Sequence, residues 1–147
     1  MAYFKDADEL YRYLGGLLQD LDDDPELGPR FRRANTIVQY RTTNPEAVVT
    51  AKLIEGEPGQ IDCGETTLDP QVTLTMDGDL AHRFWLGLVT PTVALARGEM
   101  QARGPVAKIL KLVPLARPGF ARYIERLEEE GRDDLLAPLR ERKEPGG

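Results

Sequence analysis

The period of the hydrophobic positions changes several times between Val72 and Leu115, and each change marks an element. Val72, Leu74 and Met76 alternate with Thr73, Thr75 and Asp77, the period of a strand buried on one face. Asp77 and Asp79 can accept from free backbone N–H groups, so a helix is predicted to start there. It carries Leu80, Phe84, Trp85 and Leu88, and Gly87 marks its end. Thr90-Pro91 opens a second helix with Val93, Ala94 and Leu95, which Gly98 stops. Glu99 to Arg103 reads as another strand, with Met100 and Ala102 on one face. Gly104-Pro105 then opens a third helix with Val106, Ile109, Leu110 and Val113, and Pro114 and Pro118 punctuate a connection after it. Each helix is about two to three turns long, too short to stand alone. A sheet is the expected support, and several short helices on one sheet face leave room for an apolar cavity.

The flanking regions supply the rest. Asp6 with Glu9 resembles a capping box. Leu10, Leu14, Leu17, Leu18 and Leu21 form one stripe on a helix predicted over 6–22. Asp20 to Asp24 is a solvated acidic exit, and Pro25, Gly28 and Pro29 break any long helix after it. Arg30, Arg32 and Arg33 offset that acidic run, or else form a rim for a carboxylate or phosphate headgroup. Thr36 to Thr42 and Ala47 to Glu55 read as a hairpin around Asn44-Pro45, and Gln60 to Glu65 as a third strand. Phe120, Tyr123, Ile124 and Leu127 form a helical stripe ended by Gly131, and Asp133 or Asp134 caps a last helix with Leu135, Leu136 and Leu139. The C-terminal helices are placed over 118–140, with a frayed tail over Glu141 to Gly147.

The length of 147 residues suits one domain, 1–147, with its core over 35–115. A net charge of −6 argues against nucleic acid, which expects a basic patch, and against tight binding to anionic membranes, though it leaves room for a local basic face. No apolar run approaches the roughly 20 residues of a membrane span. One cysteine, Cys63, permits no internal disulfide and is expected as a small packing residue in a reducing cytoplasm. Met1 to Asp6 lacks the pattern of a signal peptide, and Glu144-Pro145-Gly146-Gly147 is no peroxisomal address, so a prokaryotic cytoplasm is the expected setting.

Little here could carry a chemical step. There is no serine and one histidine, His82, which is expected to be exposed or to cap a helix end. Asp22, Asp23 and Asp24 lack the glycine and distal glutamate of a calcium loop. One His with one Cys does not make a zinc site, and no glycine-rich phosphate loop is present. No metal or cofactor is expected. Phe84 and Trp85 point about 100° apart on a helix, and the expectation is Phe84 inward, with Trp85 near a cavity mouth or partner surface.

Gly87, Pro91, Ala94, Gly98, Gly104, Lys111 and Leu112, following an Asp-rich helix start after a Val-Thr-Leu-Thr strand, resemble the sterol carrier protein type-2 domain family over roughly Asn35 to Leu115. Pro105 departs from the polar residue expected after that glycine, though it still fits a helix start. The resemblance implies an α+β fold: one mixed, mostly antiparallel five-stranded sheet covered by short helices, enclosing an apolar tunnel that holds a lipid, with no catalytic residues. The residues expected to line it are Leu74, Met76, Phe84, Leu88, Val93, Met100, Ile109, Leu112 and Val113. The partner is then a long apolar molecule such as a sterol, fatty acid or acyl-CoA. A second reading keeps the fold but fills the cavity, leaving a module that docks a lipid-metabolising enzyme or forms a homodimer. An enzymatic reading would have to rest on His82.

Overall fold

A computed structural model describes residues 3–143. Its centre is β1 (Thr36–Thr43), the first strand in the sequence and the middle one in space. β2 (Ala47–Leu53) returns against it antiparallel, and β3 (Gln60–Cys63) forms the outer edge. β4 (Val72–Asp77) joins the other side of β1 in parallel, and β5 (Met100–Arg103) closes that edge antiparallel. The order is β3-β2-β1-β4-β5, so the sheet is mixed and three of its four pairings are antiparallel.

Register decides which side chains share a face, because they alternate with period two. Tyr40 stands opposite Val49 on β2 and Leu74 on β4, and Met76 stands opposite Met100. These residues, with Val38 and Thr42, form the floor on which the helices lie. The other face is polar: Gln39 donates to the Thr50 hydroxyl at 3.1 Å and accepts from Arg41 at 2.9 Å.

The first helical rod is α1 (Ala7–Leu10), a π segment (Tyr11–Gly15) and α2 (Gly16–Asp23) in succession. Asp6 accepts from the Glu9 N–H at 2.9 Å and caps it, while the Glu9 carboxylate accepts from Lys5 N–H rather than from Asp6. All five leucines of the predicted stripe are buried. A short α3 (Leu27–Arg32) follows, its first N–H groups held by Asp24 at 2.8 Å. The acidic run is spent on structure: Asp22 pairs with Arg32 at 2.6 Å and Asp24 with Arg122 at 2.7 Å. Backbone N–H groups of Leu27 and Glu26, then Arg122, hold the Asp24 carboxyl below the usual carboxylate range.

α4 (Gly78–Trp85) starts at the predicted cap, with Asp77 accepting from Asp79 N–H at 2.9 Å. α5 (Pro91–Ala96) has Pro91 in its first turn. The next element departs from expectation. Pro114 and Pro118 do not separate two helices; both lie inside one continuous α6 (Val106–Glu129) of 24 residues. Each proline deprives the carbonyl four residues earlier of its donor. Those carbonyls belong to Leu110 and Pro114, both exposed, where water can replace the bond. Burial of Ala116, Gly119, Tyr123 and Leu127 holds the rest of the rod in place. α7 (Asp133–Lys143) ends the described chain, so Glu141 to Lys143, expected as tail, are helical, and 144–147 lie outside the described residues.

Candidate functional site

A cavity of about 60 Å³ lies between the floor of the sheet and the helices. Tyr40, Thr42, Val49, Leu74, Met76 and Met100 form its base. Leu10, Leu14 and Leu18 of the first helical rod close one side, and Ala81, Phe84 and Trp85 of α4 close another. Pro91 and Leu95 of α5, with Ile109, Leu112, Val113 and Ala116 of α6, form the cover. A second cavity of about 20 Å³ adjoins it and shares Leu18, Tyr40, Trp85, Leu112 and Ala116.

Seven residues expected to line the site meet here: Leu74, Met76, Phe84, Met100, Ile109, Leu112 and Val113. Leu88 and Val93 do not join them. Gly87, at φ +80, turns the chain back after α4, and Leu88 and Val93 line an open surface depression beside Arg83, Arg97 and Glu99. On α5 it is Pro91 and Leu95, one turn apart, that face inward.

Tyr40 was missed from the sequence. Tyr40 is half-buried, its hydroxyl has no hydrogen-bond partner among the described residues, and loss of hydration pushes its pKa up to about 12. The other hydroxyl on the floor, that of Thr42, is already spent on the Pro45 carbonyl at 2.8 Å. The apolar lining therefore carries two side-chain polar groups with no partner among the described residues, the Tyr40 hydroxyl and the Trp85 indole N–H. The signal was present: Tyr40 lies two residues from Val38 and Thr42, on the alternation that places Leu74 and Met76.

Three expectations are corrected. Trp85, placed near the mouth, is 4% exposed, while Phe84 is half-buried. Gly119 lets α6 approach the indole so closely that an added Cβ would lie 2.8 Å from Trp85. Phe84, Trp85 and Phe120 meet edge to face at 5.1 to 6.1 Å. His82 is neither exposed nor a cap but fully buried, between the Tyr123 hydroxyl and the Leu135 carbonyl. Cys63 is only partly a packing residue: it sits exposed on the edge strand β3 with its sulfur against Gly15 of the first rod, its thiol pushed up by partial burial and by Asp62. Among the described residues no group of three or more His, Cys, Asp or Glu could hold a metal, and no helix is long and apolar enough to cross a membrane.

Solved structures share this fold. The chain aligns with apo sterol carrier protein 2 of Yarrowia lipolytica at a TM-score of 0.61 and 16% identity, over 71% of this chain and 87% of that one. The fold is that of sterol carrier protein 2. Sterol carrier protein domain 2 of Helicoverpa armigera aligns at 0.62 and 20% identity, over 76% of this chain and 88% of its own. Sterol carrier protein 2 of Aedes aegypti, solved in complex with the C16 fatty acid palmitate, aligns at 0.51 and 20% identity, over 75% and 93%. At these identities the likeness to sterol carrier protein 2 is one of fold. No family model matches the chain, and no curated protein matches it.

Proposed function

We propose that the chain binds a long apolar molecule, of sterol, fatty acid or acyl-CoA type, between the sheet and its helical cover, without a chemical step. The observation that carries this reading is the cavity: an apolar enclosure built from the sheet, the first rod, α4, α5 and α6, whose lining includes the unpaired Tyr40 hydroxyl and Trp85 indole N–H. Its place in a fold shared with a palmitate-bound relative supports the same reading.

The energetics favour such a ligand. A dozen buried CH₂ groups gain roughly 10 kcal/mol at about 0.8 each, before the cost of immobilisation. Two methionines on the floor, Met76 and Met100, adapt to ligands of varied outline. At about 60 Å³ the cavity is smaller than the roughly 300–1,000 Å³ of ordinary ligand pockets. Loading therefore requires the cover to move, and α5 with the front of α6 is its most exposed part. The proposal extends to delivery to a membrane or enzyme, in a cytoplasmic setting that a single cysteine fits.

Extraction of freshly purified protein with organic solvent, followed by mass spectrometry, tests it. Stoichiometric lipid is the expected result. The small closed volume favours one other reading, a docking module with a filled cavity. A clean extract, together with failure to take up a fluorescent fatty acid, would establish that reading instead.

A further inference from the structure

Helix α6 begins with apolar side chains on its outer side as well as on its inner side. Ile109, Leu112 and Val113 face the cavity, whereas Val106 and Leu110 are 68% and 60% exposed. A second apolar stripe on the side away from the core is normally covered by protein or a membrane, yet this one lies at the surface. Val106, Leu110 and Pro114 recur at four-residue spacing, so the exposed groups form one stripe.

Charge gathers at the same place. Residues 97–117 hold Arg97, Arg103, Lys108, Lys111 and Arg117 against Glu99 alone, a net of +4, in a chain whose total is −6; the remainder therefore carries −10. Arg103, Lys111 and Arg117 are exposed and make no ion pair among the described residues. A second copy is a poor occupant, because a two-fold contact would set +4 against +4. Apolar side chains flanked by unpaired cations match the boundary of an anionic bilayer.

We propose that the first three turns of α6, with Arg103, dock on an anionic lipid surface. Val106 and Leu110 enter the headgroup boundary while Lys111 and Arg117 meet the phosphates. The helix that covers the cavity would then be the helix that touches the membrane. Docking does not depend on the cavity being filled; only the passage of lipid beneath α6 rests on the carrier reading.

Co-sedimentation with vesicles of phosphatidylcholine, alone or mixed with phosphatidylglycerol, provides the test. The mixed vesicles should bind about a hundredfold more tightly than the neutral ones, an advantage that shrinks in high salt. A Val106→Glu, Leu110→Glu double variant with an unchanged melting curve should lose that binding and still take up a fluorescent fatty acid. A Lys111→Glu, Arg117→Glu variant should lose the preference for mixed vesicles. Equal binding to both vesicle types, undiminished binding by the first variant, or a dimer in light scattering that this variant abolishes would overturn the proposal. Wild-type protein that binds mixed vesicles but takes up no fatty acid would uphold docking and remove the carrier reading.

Discussion

The Tyr123 hydroxyl lies 2.7 Å from Nδ1 of His82, and the geometry fixes which of the two donates. On the other side of the ring, Nε2 faces the Leu135 carbonyl oxygen at 2.7 Å. A carbonyl only accepts, so Nε2 carries the proton, Nδ1 is bare, and Tyr123 donates to it. One neutral imidazole thereby joins α4 to α6 and α7, with the rings of Tyr3 and Phe4 packed on it at 4.8 and 5.4 Å.

Acid should undo this link. Burial pushes the His82 pKa down to about 4, with Arg83 adding to the effect and the Leu135 carbonyl, Asp79 and Asp134 opposing it. The unfolded chain takes up this proton near pH 6.5. Between those values the unfolded state binds a proton that the folded state refuses, so stability falls as pH drops from about 6.5 to about 4 and levels off below. The loss is roughly 3 kcal/mol at most. Urea unfolding across that range should show a steeper decline for the wild type than for His82→Gln, in which carboxylates alone titrate. Parallel declines would mean that His82 does not titrate in this way.

Two glycines with positive φ should behave unequally. Gly98 sits at φ +75 in open space, so Gly98→Ala should cost only the strain of a left-handed residue, about 1–2 kcal/mol. Gly104 sits at φ +127, and an added Cβ would press on the Gln71 carbonyl and on Val72 of the adjoining strand. Gly104→Ala should cost at least about 3 kcal/mol, read as a drop in melting temperature well beyond that of Gly98→Ala. Equal drops would show that backbone strain, not crowding, sets both values.

How much of this was written in the chain depends on range. Val72, Leu74 and Met76 declared β4, and Asp77 declared the start of α4, because alternation and capping are settled within a few residues. Periodicity alone reached only short helices over a sheet; the five-stranded mixed sheet was legible through the resemblance to the sterol carrier protein type-2 family. The continuity of α6 was not. Pro114 and Pro118 are local breakers, and they are overruled by burial of Gly119, Tyr123 and Leu127 against elements far away in sequence. His82 was misjudged because its partners lie 41 and 53 residues downstream. Of the candidate site, the floor positions Leu74, Met76 and Met100 followed from strand period, while Leu88 and Val93 were misplaced by a reversal at Gly87 that periodicity does not measure.

Removing the hydroxyl of Tyr40 separates recognition of a head group from burial of a chain. If that phenol bonds the polar end of a ligand, Tyr40→Phe should weaken binding of a fatty acid about tenfold, the worth of one buried hydrogen bond. Binding of a hydrocarbon probe with no polar group should not change. The folded state should lose nothing, since the hydroxyl has no partner to forfeit among the described residues. Titration of both ligands checks this, and an equal loss for both would show that the ring acts by shape alone.

Filling the cavity is the most direct test of where the ligand sits. Met100 is 5% exposed, stands opposite Met76 in the sheet register, and contributes to the cavity floor. Met100→Trp adds volume without charge, and the empty space of about 60 Å³ can take much of it. Stability should therefore change by no more than about 1–2 kcal/mol, below the usual cost of overpacking a filled core. Fatty-acid uptake should fall at least tenfold, because the added ring occupies the position of several methylenes worth about 0.8 kcal/mol each. Leu88→Trp is the matched control: it adds a similar ring in the depression beside Arg83 and should leave uptake unaltered. The reverse pattern, with uptake lost in Leu88→Trp and kept in Met100→Trp, would move the site out of the cavity and onto the surface between α4 and α5.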